Sequence, residues 1–175
     1  MSIQPQLATD WTRLEGDLQW EVKLREGVSF SNGEPFNADV VKFSLELLMQ
    51  RFADGQPLGQ STIAMPSAEL TEVEIVDDYT VLLTTASPKA LLPIYLSQMP
   101  MLAPGFYGSA TDEQRASEMV GTGPYVLHER VRDSHVTLRP NPNYWGPAPT
   151  VEEITFRAIP EIGTQIAELE TGGVD

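Results

Sequence analysis

Over residues 18–24 the chain alternates apolar and polar side chains without a fault, Leu18-Gln19-Trp20-Glu21-Val22-Lys23-Leu24. A period of two puts the apolar set on one face of a β-strand and the polar set on the other, so the stretch reads as a strand with one face buried and one in water. The same period continues through Val28-Ser29-Phe30 and runs into Ser31-Asn32-Gly33, where an Asn-Gly pair can supply the positive φ values of a tight turn. The clearest helix start in the chain follows. Asn37 is placed to accept a hydrogen bond from a first-turn N–H, and Phe36 and Val41 are spaced as a hydrophobic staple. Val41, Leu45 and Leu48 then share one stripe with Lys42, Glu46 and Gln50 opposite, which describes a helix that packs and displays no chemistry.

Residues 53–68 are rich in Gly, Pro, Ser and Thr and read as a long loop. A hairpin comes next, with Val73 and Ile75 on one strand, a turn at Asp77-Asp78, and Val81 and Leu83 on the other. In residues 88–104 the prolines at 93, 100 and 104 deny a long helix or a central strand, so a short helix and then an apolar loop against the core are expected. From residue 120 strands return: residues 125–130 and 136–139 read as a hairpin across Arg132-Asp133-Ser134. A turn at 141–146 carries Tyr144 and Trp145, and Ile154, Phe156 and Ala158 line one side of a further strand. Ile162, Ile166 and Leu169 form a helical stripe ending near Gly172-Gly173, where glycine permits a left-handed cap, and Val174-Asp175 reads as the start of another strand. The mixture of elements gives a mixed α/β (α+β) fold class.

A chain of 175 residues can build one cored domain or two small layers, and is too short for two full lobes around a closed cleft. Its formal charge of -14 repels phosphate backbones and anionic lipid heads, which argues against nucleic acid as a partner. Without cysteine there are no disulfides, thiolate nucleophiles or Cys-based metal sites. No apolar run approaches the roughly 18 residues of a membrane span, and Met1-Ser2-Ile3-Gln4-Pro5 lacks the basic and apolar regions of a secretory signal. The chain is expected to be soluble, with any export signal removed or never present.

Several residues invite a sharper reading. Gly121 and Gly123 suggest a nucleotide-binding turn, but the third glycine is missing and a strand follows where a helix is needed, so a structural turn is expected. His128 and His135 flank a hairpin turn and supply at most half of a zinc set, so no metal site is assigned. Asp77-Asp78 sits in a turn, where neighbouring carboxylates face water and point apart; no catalytic residue is assigned there or elsewhere. Trp11, Trp20, Tyr144 and Trp145 could stack on a ligand, and are expected to pack at domain edges.

Four motifs in order then carry a resemblance. Pro5-Gln6-Leu7-Ala8-Thr9-Asp10-Trp11 leads into the stretch of residues 20–44 that contains Phe30-Ser31-Asn32-Gly33-Glu34-Pro35-Phe36-Asn37-Ala38. Gly121-Thr122-Gly123-Pro124-Tyr125 and Arg139-Pro140-Asn141-Pro142-Asn143-Tyr144-Trp145-Gly146 follow, and Ala167-Glu168-Leu169-Glu170-Thr171-Gly172-Gly173-Val174-Asp175 closes the chain. Together they resemble the bacterial peptide/nickel (family 5) extracellular solute-binding proteins. One departure is Ser31, where many members have histidine. Residues 50–70 are the least distinctive part.

The resemblance implies a periplasmic-binding-protein-like fold of class II, two lobes that close on a solute, no chemistry and no cofactor. It implies that residues 1–119 are the small accessory subdomain of the first lobe, with the helix over 37–50, and that 120–175 are an incomplete portion of that lobe. The second lobe would be absent and the chain a fragment, open to self-association through uncovered edges. The function implied is that of the binding component of an ABC importer, a transport protein capturing di- or oligopeptides outside the cytoplasmic membrane for a transmembrane permease. A binding protein for a nickel chelate or oligosaccharide, or a peptide-docking sensor module, is the alternative. Localisation would be periplasmic or extracellular, as a lipoprotein if the full-length protein is lipid-anchored. Because the family's pocket lies between lobes, the expected ligand contacts come from loops near the domain junction: Met99, Met101, Ala103, Tyr107, Gly121, Thr122 and Gly123.

Overall fold

A computed structural model describes residues 3–55 and 68–174. The long loop read over 53–68 therefore lies, but for its ends, outside the described residues, as does Asp175 of the expected last strand.

The faultless alternation becomes β2 (Gln19–Leu24), with Trp20, Val22 and Leu24 buried. It is flanked by β1 (Ala8–Arg13) and, later in the chain, by the hairpin β3 (Leu70–Asp77) and β4 (Thr80–Thr85). All four run antiparallel in the order β1-β2-β4-β3. The register sets Trp20 opposite Leu83 and Val22 opposite Val81, so the apolar sets of the two central strands share a face. On the edge strand β3, Val73 is buried opposite Leu83, whereas Ile75, opposite Val81, is 37% exposed.

Helix α1 (Ala38–Ala53) covers that face. Asn37 is extended and its side chain accepts the N–H of Val40 at 3.2 Å, while Asp39 and Arg51 suit the helix's charged ends. Val41, Leu45 and Leu48 are buried as the stripe requires, and Lys42 pairs with Glu46 at 3.2 Å on the other side. Before the helix, a bridge between Ser29 and Pro35 closes a loop whose Phe30 and Phe36 are fully buried. Its turn uses one left-handed residue, Gly33 at φ +87, where two were expected. Asn32 instead accepts the N–H of Glu34 through its side chain, which makes the same reversal without positive φ.

The proline-broken stretch folds as expected into a short helix, α2 (Leu92–Leu96), and an apolar loop that buries Met99, Leu102 and Ala103. Two further short helices follow, α3 (Pro104–Tyr107) and α4 (Asp112–Ser117), the latter started by an N-terminal capping box of Thr111 and Gln114.

The second sheet is antiparallel in the order β5-β6-β7, from β5 (Tyr125–Val131), β6 (His135–Pro140) and β7 (Ile154–Arg157). Asp133 turns the hairpin at φ +60. Leu138 sits opposite both Leu127 and Ile154, and Val136 opposite Phe156, so one face of the sheet is apolar. Helix α5 (Ile162–Thr171) ends as read at a left-handed Gly172, φ +70, with the N–H of Gly173 returning to the Glu168 carbonyl. Its stripe, however, faces outward: Ile162, Ile166 and Leu169 are 71%, 54% and 62% exposed. The helix is held by Arg157, which reaches the Glu168 carboxylate at 2.9 Å.

Candidate functional site

The turn Ser31-Asn32-Gly33-Glu34 is the anchor for everything downstream of β4 that approaches it. The Glu34 carboxylate accepts the N–H groups of Gly105 (2.7 Å) and Phe106 (3.2 Å), which fixes the start of α3. The Ser31 N–H donates to the Gly121 carbonyl at 2.9 Å, and the Ser31 hydroxyl accepts the Gly121 N–H at 3.4 Å. Tyr107, at the end of α3, donates its phenol to the Val120 carbonyl at 3.3 Å. From the other side Asn141, a buried side chain, donates to the Gly123 carbonyl (2.8 Å) and accepts the Asn143 N–H (2.9 Å), while its own N–H reaches the Pro124 carbonyl. The link from the first sheet to the second, residues 120–124, is thus held between two turns.

The arrangement brings four of the expected contact residues together: Tyr107, Gly121, Thr122 and Gly123, all half-buried. The other three lie elsewhere. Ala103 is fully buried in the core, where its carbonyl accepts the Tyr107 N–H at 2.8 Å. Met99 and Met101 line a cavity of about 240 Å³ beside the first sheet. Its walls include Trp11, Leu24, Phe36 and Leu45, and among the described residues none that lines it is charged.

Several side chains that position these parts carried no functional reading in the sequence. Ser44 is buried on α1; its hydroxyl donates to the Val40 carbonyl (2.6 Å) and accepts the Leu102 N–H (2.8 Å), clamping the loop that carries Met99 and Met101. The available signal was a serine inside an otherwise apolar stripe. For Glu34 and Asn141 the signal was their place in turn motifs, Asn-Gly-Glu-Pro and Pro-Asn-Pro-Asn.

The aromatics pack. Trp20 is buried, Trp11 and Trp145 lie against the core, and the Arg25 guanidinium sits 4.5 Å above the Trp145 ring. Asp77 caps its own turn by accepting the Tyr79 N–H at 2.8 Å. His128 is the extra residue of a bulge in β5, while His135 stands opposite Val131 with its ring 3.1 Å from the Glu129 carboxylate, so the register does not pair the two histidines. Among the described residues no group of three or more His, Asp or Glu side chains is arranged to hold a metal.

Comparison with known proteins gives this geometry a context. Residues 2–175 match the model of the bacterial extracellular solute-binding proteins, family 5 Middle. The chain belongs to that family. It is 30% identical over 178 residues to the nickel-binding periplasmic protein of Escherichia coli K12, and 25% identical over 179 residues to the probable D,D-dipeptide-binding periplasmic protein DdpA of the same strain. Each alignment takes in 99% of this chain and 33% of the relative, so this family 5 chain spans about a third of the length of the curated relatives it matches. The crystal structure of NikZ from Campylobacter jejuni in complex with Ni(L-His) superimposes on all of this chain with a TM-score of 0.86 at 24% identity, covering 34% of that chain. The fold is the mixed α/β fold of the class II periplasmic-binding-protein type, as its family suggests. Among the described residues no helix is long and apolar enough to cross a membrane.

Proposed function

We propose that this chain forms one wall of the solute-binding cleft in the binding component of an ABC importer, that the solute is a di- or oligopeptide, and that the loaded protein delivers it to a transmembrane permease. The observation that carries the reading is the match of residues 2–175 to the solute-binding family. The doubly held turn at 120–124 supports it, because a cleft wall has to present its backbone in one fixed place. In this reading residues 1–119 are the accessory subdomain and 120–175 a portion of the first lobe; the separate sheets and the narrow main-chain junction support that division. Tyr107, Gly121, Thr122 and Gly123 are the contacts nearest the solute. The protein works outside the cytoplasmic membrane, periplasmic or extracellular, a reading that the family match supports. The dipeptide-binding relative supports a peptide, and the nickel-binding relative, of higher identity, supports a nickel chelate as the second reading.

Ligand binding to the native state alone raises its apparent stability, so the test is a thermal-shift panel on the full-length protein with di- to pentapeptides, nickel–histidine and oligosaccharides. Peptides are expected to raise the melting temperature. A rise with nickel–histidine alone would select the second reading, and no rise with any of the panel would end the solute-binding proposal.

A further inference from the structure

The turn at residues 31–34 reaches the junction by two routes. The direct one is the pair of bonds between Ser31 and Gly121, in which the Ser31 N–H meets the Gly121 carbonyl at 2.9 Å and the Gly121 N–H meets the Ser31 hydroxyl at 3.4 Å. The indirect one starts at Glu34 and crosses α3. Glu34 Oε2 accepts the Gly105 N–H at 2.7 Å and Oε1 accepts the Phe106 N–H at 3.2 Å. The next residue, Tyr107, donates its phenol to the Val120 carbonyl at 3.3 Å. Arg115 of α4 donates to the Tyr107 carbonyl at 3.0 Å, so the backbone that carries this ring is held at both ends of α3.

The Glu34 carboxylate is seated and not merely near. The Asn32 amide donates to Glu34 Oε1, while Asn32 Oδ1 accepts the Glu34 N–H at 3.1 Å, so one side chain fixes both ends of the glutamate. Gly105 lacks the positive φ that would by itself ask for glycine, and yet a Cβ there would stand 2.8 Å from Glu34 Oε2 and 2.9 Å from its Cδ. The carboxylate fills the space that a side chain at 105 would need. A carboxylate that accepts three N–H donors makes charge-assisted bonds, which are shorter and stronger than those between neutral groups. None of the four residues of α3 is fully buried, so its polar anchors count in fixing where it stands.

We propose that Glu34 is the positioning residue of the junction turn: through α3 it sets where Tyr107 meets Val120, and so where residues 120–124 stand when a solute arrives. The part in capture rests on the solute-binding reading above; the positioning is a property of this chain alone.

Amide exchange on the 175-residue chain, followed residue by residue, tests it. The Ser31 and Gly121 N–H groups report the junction, those of Gly105 and Phe106 the start of α3, and those of β2 the first core. Glu34→Gln turns one of two acceptor oxygens into a donor. Exchange is expected to quicken about tenfold at the start of α3 and at the junction, with β2 unchanged. Gly105→Ala pushes the carboxylate aside by bulk and should repeat that pattern. Asn32→Asp keeps the acceptor for the Glu34 N–H but sets a second carboxylate against the first, and should follow it. Tyr107→Phe removes only the phenol hydroxyl, and should quicken the junction while leaving Gly105 as it was. Combined with Glu34→Gln it should add nothing at the junction, because the two act along one chain of contacts. An additive double variant, a junction that no variant moves, or equal acceleration in β2 would overturn the proposal. Calorimetric titration of the full-length protein with trialanine then tests capture. Several-fold weaker binding by the Glu34→Gln form supports the role there, and unchanged affinity overturns it. No binding by the full-length wild type counts against the peptide reading and leaves the exchange pattern to decide the positioning.

Discussion

On α1, Ser44 stands between Val41 and Leu45, one position in the buried stripe that does not repel water. Its hydroxyl satisfies a main-chain N–H 58 residues further on, in a loop that has no strand or helix to do so. Replacing it with alanine leaves the Leu102 N–H buried without an acceptor, which costs about 1–3 kcal/mol. Urea denaturation of Ser44→Ala should show the midpoint falling at unchanged slope; a midpoint equal to that of the wild type would mean that the loop finds another acceptor. Glu69 makes a different kind of latch at the surface. Hydrogen bonds from Lys89 (2.6 Å) and Ser87 (2.7 Å) hold its carboxyl below the usual carboxylate range. A carboxyl whose folded pKa is depressed contributes stability above its unfolded value, about 4.3 for glutamate, and that contribution is lost as pH falls through the lower folded value. Glu69→Gln should therefore lie below the wild type in stability at neutral pH and converge with it in acid, as urea midpoints measured across that range would reveal. Neither partnership was legible in the sequence, since each joins residues that only the fold brings together.

Among the elements, those with a strong local rule were readable. The faultless alternation of β2, the Asn37 cap of α1, the Asp133 turn and the Gly172 stop all behave as their residues dictate. The short helices α3 and α4 escaped because four and six residues are too few to show a periodic stripe, although Pro104 at the first helical position and the Thr111–Gln114 box were present as signals. The junction turn was placed by motif, but what holds it was not. Asn141 is the test of that holding: its amide bridges the Gly123 carbonyl and the Asn143 N–H, so Asn141→Ala frees two turns at once. With two half-buried hydrogen bonds removed, a loss of about 1–3 kcal/mol is expected. Amide exchange should accelerate around Gly121 and Gly123 more than in β2; a uniform change over both sheets would contradict a local role. Asn37→Ala should lower stability by about 1 kcal/mol through the helix start alone, with exchange fastest in the first turn of α1.

At the scale of the whole molecule, burial is uneven. The first sheet and α1 enclose a core, whereas the second sheet shows Phe156 at 61% exposure on its apolar face and α5 turns its stripe outward. The sequence grouped these residues on one side of a strand or a helix by their period, and nothing in a period says which neighbour completes the burial. Apolar faces of this kind associate, and the charge of -14 opposes that association between copies of the chain. Salt decides between the two. At 0.01 M ionic strength the repulsion reaches across about 30 Å, and at 1 M across only about 3 Å, while apolar contact is not weakened. Light scattering on a size-exclusion column should find this chain monomeric in low salt and increasingly dimeric in high salt. Phe156→Glu, which adds a charge to the exposed face on the edge strand β7 without touching the first core, should keep it monomeric in both. A wild-type chain that stays monomeric at high salt and high concentration would show that these faces do not pair with themselves.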